Sequence, residues 1–137
     1  LLRSGWSASA HKAGYSLQKT GPVAQGARAI SLTAKAKTSY LLLTGSAIPT
    51  LGKSHLVLSV HGGELGGQDV KIQLRISGRY RAAVSLSSLG GVPTAGGWTQ
   101  YRIPLTALEG AAGNLTGVKV LVATPQKELF LDDVRVE

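Results

Sequence analysis

Three stretches in the last third of the sequence decide the fold: WTQYRIPL (98–105), LTGVKV (115–120) and LFLDDVRV (129–136). In each stretch apolar and polar residues alternate, which is typical of a β-strand with one face turned to a core. Residues that favour turns separate the stretches. The last stretch holds Asp132 and Asp133 within an apolar strand, and carboxylates are costly to bury without partners. The doublet therefore indicates a bound cation, a hydrogen-bonded strand end or a solvated edge.

The same alternation continues through most of the chain, interrupted by clusters of Gly, Ser, Pro and Thr. It predicts eight short strands, at 29–35, 40–44, 55–61, 70–76, 82–86, 100–104, 117–123 and 129–136. Helix signals are nearly absent, although residues 106–110 could form one helical turn. Eight strands without helices predict a single all-β domain over residues 1–137, either a two-sheet sandwich or a barrel.

The alternation also predicts which side chains leave the core. In the strand at 55–61 the even positions are apolar, so His61 is expected on the opposite face. In the strand at 70–76 Gln73 and Arg75 are expected to point outward, and Arg102 is expected to do so in the strand at 100–104.

Composition and charge limit the possible functions. The 137 residues include no Cys, which excludes disulfides, thiolate metal sites and Cys nucleophiles. The formal net charge is +8, and a positive field attracts acidic polysaccharide, nucleic acid or anionic surfaces. Solubility alone is the other interpretation of this charge. No apolar run approaches the roughly 20 residues of a membrane-spanning helix.

Several motifs occur in the order seen in one known family. They are GW (5–6), VAQGARAISL (23–32), VHGG (60–63) followed by GGQDV (66–70), and the three closing stretches. Together they resemble the jelly-roll carbohydrate-binding modules with the galactose-binding-like fold. The resemblance implies a two-sheet antiparallel β-sandwich that binds polysaccharide without catalysis. It also implies a monomeric module of a larger secreted or cell-surface protein.

Sugar sites combine aromatic rings, for the C–H face of a pyranose, with polar groups that bond its hydroxyls. The outward residues His61, Gln73, Arg75 and Arg102 supply the polar chemistry, and we expect Trp6 and Tyr80 to border them. The basic balance favours an acidic or surface-bound glycan. The strand-start residue Trp98 is expected to be structural.

A second function stays open, because residues 7–10 (SASA) lack the further tryptophans that follow the opening Trp in many relatives. The alternative is a structural or protein-interaction sandwich without a sugar site.

The resemblance further implies a structural Ca²⁺, held by Asp132 and Asp133 with backbone carbonyls near Gln25 and Gly26. Calcium takes six to eight oxygen ligands, and the chain has seven acidic residues in total. The alternative is an Asp that accepts hydrogen bonds from the backbone at the strand end.

Enzyme and nucleic-acid functions find little support in the sequence. No strand–GxSxG–helix context is present for a nucleophile, and no carboxylate pair suggests a glycosidase. Basic and aromatic residues interleave only at 79–81 and 101–102, and no nucleic-acid-binding signature occurs. We therefore expect neither catalysis nor specific nucleic-acid binding.

Overall fold

Two antiparallel sheets pack face to face in the computed structural model, which describes residues 5–24, 26, 28–62, 69–125 and 128–137. The strands are β1 (Trp6–His11), β2 (Ala13–Lys19), β3 (Ala29–Ala34), β4 (Ser39–Pro49), β5 (His55–His61), β6 (Val70–Ile76), β7 (Arg79–Tyr80), β8 (Val84–Ser85), β9 (Gly91–Pro93), β10 (Trp98–Pro104), β11 (Asn114–Val122) and β12 (Glu128–Val136). The first sheet has the order β1-β4-β11-β6-β7, with β8 also paired to β6. The second has the order β2-β3-β12-β5-β10-β9. The predicted all-β, two-sheet sandwich is confirmed.

The core lies between the inner faces of the two sheets, where alternate residues of each strand meet. Its largest fully buried side chains are Leu32, Leu41, Leu56, Leu58, Ile72, Leu74, Ile76, Ile103, Leu105, Leu108, Leu115 and Leu129. The faces predicted for the strands at 55–61, 70–76 and 100–104 are all confirmed. Burying an aliphatic side chain contributes about 1.5–3 kcal/mol, so this double layer is the main source of stability.

The strand prediction fails at several places, and two short strands, β7 and β9, are among those it missed. It missed β1 and β2, because small residues such as Ser7, Ala8 and Ser9 give weak alternation. It also placed one strand at 82–86, whereas β8 covers only Val84–Ser85 and a 3-10 segment, Leu86–Ser88, follows.

A second small cluster lies on the outer face of the second sheet. Ala29, Trp98 and Phe130 are buried there, and Val23 packs against them. The segment before β3 therefore covers part of this outer face. Among the described residues the helical segments are three short 3-10 turns, and none is long and apolar enough to cross a membrane.

Candidate functional site

The structure places the predicted polar residues on two opposite faces of the sandwich. Gln73 and Arg75 lie on β6 of the first sheet, beside Tyr80 on β7. His61 lies on β5 and Arg102 on β10, both in the second sheet. The expected single surface is therefore divided, because alternation shows which side of a strand a residue takes but not which sheet holds the strand.

Tyr80 and Tyr40 define the outer face of the first sheet. We call the surface formed by Tyr40, Gln73, Arg75, Tyr80 and Lys119 the tyrosine face. Strand pairing brings these residues together, since Lys119 on β11 lies opposite Gln73 and Arg75 lies opposite Tyr80. The Lys119 ammonium stands 4.0 Å from the Tyr40 ring centroid and 4.8 Å from that of Tyr80. One cation thus connects the two rings by cation–π contacts.

Two further contacts fix the geometry of the tyrosine face. The Gln73 side chain donates a hydrogen bond of 2.7 Å to the carbonyl of Arg81. The Arg75 guanidinium carbon lies 5.9 Å from the Tyr80 ring centroid. Its buried Nε–H has no acceptor among the described residues. At the far side His11 stacks on Tyr40, with ring centroids 5.1 Å apart.

His61 is held by packing on the second sheet. Its ring makes edge contacts with Trp98 and Phe130, at centroid distances of 5.3 Å and 5.9 Å. A Cβ at Gly97 would come within 2.9 Å of the His61 ring, so the turn at 95–97 lies directly against it. Trp98 is only 3% exposed, which confirms its expected structural role.

Arg102 belongs to an ion-pair group at the other end of the second sheet. Its Nε donates to the Glu137 carboxylate at 2.8 Å, and a terminal nitrogen lies 3.5 Å from the His55 ring. The Arg102 hydrogen bond, and then that from Arg135, lowers the pKa of Glu137 below its ordinary value. The Arg102 side chain therefore already has an anionic partner.

Trp6 turns toward the core and not toward the tyrosine face. It is half-buried, packs against the core cluster and lines a cavity of about 320 Å³ between the sheets, with Leu43, Leu115 and Leu131 among its neighbours. The expectation that Trp6 borders the same surface as Tyr80 is therefore wrong. The reason is the phase of β1, which places Trp6 and Ala8 inward.

Asp132 and Asp133 do not sit on a regular strand. The register of β12 against β5 shifts between Asp132 and Arg135, and Asp133 has a φ of +52°. Asp132 is 6% exposed; its two oxygens accept hydrogen bonds from the amides of Ala24, at 2.9 Å, and of Asp133, at 2.8 Å. The Asp133 carboxylate bonds to Arg135, which raises the pKa of that guanidinium.

These bonds bear on the calcium prediction. Within the described part of the chain, no group of three or more His, Cys, Asp or Glu side chains is placed to hold a metal. Gln25, one of the expected carbonyl donors, lies outside the described residues. The hydrogen bonds of Asp132 are those of a carboxylate that anchors backbone amides. Calcium binding stays a prediction.

Sequence reasoning did not select Lys119, Tyr40 or His11 as site residues. Lys119 carries a usable signal, since it is the one charged residue of β11. Its position between two tyrosines depends on the pairing of β11 with β4 and β6, and that pairing cannot be read from local alternation.

Comparison with known proteins defines the fold further. No protein-family model and no curated protein matches the sequence. Solved structures do match, and one is a carbohydrate-binding module of the β-sandwich superfamily studied for its promiscuous specificity (TM-score 0.57, 12% identity). This chain is covered to 97% in that match and spans 57% of the other.

Two further neighbours have bacterial sources. A family 30 carbohydrate-binding module of a cellulosomal cellulase of Clostridium thermocellum has a TM-score of 0.60 and 15% identity, over 90% of this chain and 81% of the other. A β-1,2-glucanase of Parabacteroides distasonis has a TM-score of 0.67 and 16% identity, over 96% of this chain but 22% of the glucanase. The chain therefore has the fold of the β-sandwich carbohydrate-binding modules.

Proposed function

We propose that this chain is a non-catalytic carbohydrate-binding module and that its tyrosine face holds the polysaccharide. The observation that carries the proposal is the pair of tyrosine rings, Tyr40 and Tyr80, next to hydrogen-bonding side chains on one open sheet face. Aromatic rings pack against the apolar C–H faces of sugars, while amide and guanidinium groups bond the hydroxyls. The solved structures with a similar fold include several carbohydrate-binding modules.

The composition of the first sheet supports binding without catalysis. Its six strands, all of them described, contain no Asp or Glu. Most glycosidases use two carboxyl groups on either side of the scissile bond, and this face offers neither. As a module of a larger extracellular protein, the chain would hold a polysaccharide for a partner domain.

Tyr80→Ala tests the proposal directly. Tyr80 is 46% exposed, so truncation leaves no core cavity and the melting temperature should stay unchanged. We expect the affinity for a bound polysaccharide to fall by about tenfold, the equivalent of about 1.4 kcal/mol. Affinity electrophoresis in gels that contain neutral or acidic polysaccharides measures this loss.

Tyr15→Ala is the matched control, because Tyr15 is 42% exposed on β2 of the second sheet. It should bind like the unmodified chain. Unchanged binding in Tyr80→Ala and in Tyr40→Ala would place the site elsewhere. A folded chain that binds no polysaccharide at all would favour a protein-interaction domain.

A further inference from the structure

The two sheets carry different charge. In the strands of the first sheet the basic residues are Lys71, Arg75, Arg79 and Lys119, and there is no acidic residue. The strands of the second sheet hold three basic residues (Lys19, Arg102 and Arg135) and three acidic ones (Glu128, Asp132 and Asp133). The strands of the first sheet, which carries the tyrosine face, are therefore strongly basic, whereas the charges in the strands of the second sheet balance.

Ion pairing follows the same division. Every ion pair found among the described residues involves Lys19, Arg102 or Arg135 of the second sheet. Within the described part of the chain, Arg75 and Lys119 have no carboxylate partner. The positive charge of the tyrosine face is therefore not neutralised by the described residues and is available to an anion from outside.

Lys119 is fixed in place although it lacks an anion. Lys119 is half-buried and its ammonium lies against the rings of Tyr40 and Tyr80. These contacts hold a long side chain that would otherwise be mobile. The lysine is thus pre-organised, which lowers the entropy lost when an anion binds.

Arg75 adds a guanidinium to the tyrosine face, 5.9 Å from the Tyr80 ring centroid. A planar guanidinium matches a carboxylate or sulfate in two parallel bonds. Arg75 faces Gly117 across the strands, so Lys119 is its diagonal neighbour, at a separation of roughly 7–8 Å.

We propose that the tyrosine face recognises an anionic polysaccharide, whose sugar rings pack on Tyr40 and Tyr80 while their acidic groups bind Arg75 and Lys119. This inference rests on the proposed function and specifies its substrate class. Carboxylate and sulfate share the chemistry required, and the planar fork of Arg75 suits both.

The test compares four polymers by isothermal titration or affinity electrophoresis: polygalacturonate, dextran sulfate, a neutral mixed-linkage β-glucan and single-stranded DNA. The Arg75→Gln/Lys119→Gln double variant should lose affinity for the anionic polysaccharide by at least about tenfold. Lys19→Gln is the control, because it removes the same kind of charge from the second sheet and should change affinity less than about twofold. If the double variant fails to fold, Arg75→Gln alone carries the test.

Each outcome decides between the two proposals. Selective loss in the double variant supports the inference, and the two anionic polysaccharides then show whether carboxylate or sulfate is preferred. Binding to the neutral glucan alone, sensitive to Tyr80→Ala, would leave the proposed function standing and overturn the anionic ligand. An equal loss of affinity in Lys19→Gln, or equally tight binding of DNA, would mean that net charge alone is responsible for the binding. Either result would also overturn the anionic-ligand inference. A folded chain that binds no polysaccharide would overturn both.

Discussion

The Asp132 carboxylate joins the segment before β3 to the last strand. It is buried and accepts hydrogen bonds from the amides of Ala24 and Asp133. Asp132→Ala would remove both hydrogen bonds of a buried carboxylate, a loss we expect to lower the free energy of unfolding by about 1–3 kcal/mol. Urea unfolding measures the loss.

The control for this variant is Asp69→Ala, since Asp69 is exposed and its replacement should stay within about 0.5 kcal/mol. Equal stability of the two variants would show that the Asp132 bonds contribute nothing beyond those of a surface carboxylate.

Glu137 gives the stability a small pH dependence. Its folded pKa is lowered, first by the hydrogen bond from Arg102 and then by that from Arg135. A lowered folded pKa means that the stabilisation is present above the unfolded pKa and disappears as the pH falls through the folded pKa. The unmodified chain should therefore be more stable than Glu137→Gln at neutral pH, and this difference in stability should vanish well below about pH 4.

Melting temperatures at low salt across this range measure the effect, which added salt should reduce because the group is exposed. Glu109→Gln serves as the control, with no ion pair found for Glu109 among the described residues. A gap between the unmodified chain and Glu137→Gln that stays constant down to acid pH would contradict the prediction.

At the level of elements, the pairing of β1 with β4 depends on a glycine. A Cβ at Gly45 would come within 2.4 Å of the Trp6 ring and 2.5 Å of the Gly5 carbonyl. Neither is the end of a flexible side chain, so Gly45→Ala must displace β1. Overpacking of this kind costs about 1–3 kcal/mol, and thermal unfolding should show it.

Gly14→Ala is the matched control, because Gly14 lies in β2 and a Cβ added there would have no atom within 4 Å. Alanine at this position should be neutral or slightly stabilising. A Gly45→Ala variant as stable as Gly14→Ala would mean that β1 relaxes without loss.

How much the sequence predicts can be judged at these same elements. The strands β5, β6 and β10 could be predicted with their faces, because Ile72 and Ile103 belong to runs that alternate and all the even positions of β5 are apolar. The register shift in β12 could not be predicted. Local sequence patterning predicts a regular strand through residues 132–133, whereas in the structure Asp133 adopts a positive φ and interrupts the strand. The candidate site was predicted only in part: Gln73, Arg75 and Tyr80 do share a face, whereas His61, Arg102 and Trp6 do not join them.

The division of that site reflects the whole molecule. Alternation is a property of one strand, and the assignment of a strand to a sheet depends on pairing with residues far away in the chain. The partner of β6 is β11, which comes much later in the sequence, while β5 pairs with β10 and β12. Outward residues of β5 and β6 therefore lie on opposite sides of the sandwich, although the two strands are neighbours in sequence.

The two outer faces of the sandwich also differ in what covers them. The second sheet buries Trp98 and Phe130 beneath Val23 and the turn at 95–97, whereas Tyr80 on the first sheet stays 46% exposed. A long polysaccharide needs an open surface, and the first sheet offers one around Tyr80, whereas the outer face of the second sheet is covered at Trp98 and Phe130. This asymmetry is why the proposed binding function is assigned to the tyrosine face.

Calcium binding is the remaining sequence prediction that concerns the molecule as a whole. A cation that binds only the folded chain stabilises it by about 2.7 kcal/mol at a hundred times its dissociation constant, which raises the melting temperature by several degrees in a chain of this size. The described donors at Asp132 already accept two backbone amides, so we expect equal melting temperatures in excess calcium and in excess EDTA. A rise of several degrees with calcium, lost in Asp132→Asn, would instead establish the site that the sequence predicts. Magnesium is the control, since it demands stricter octahedral geometry and gives up its water reluctantly, and should not reproduce a true calcium shift.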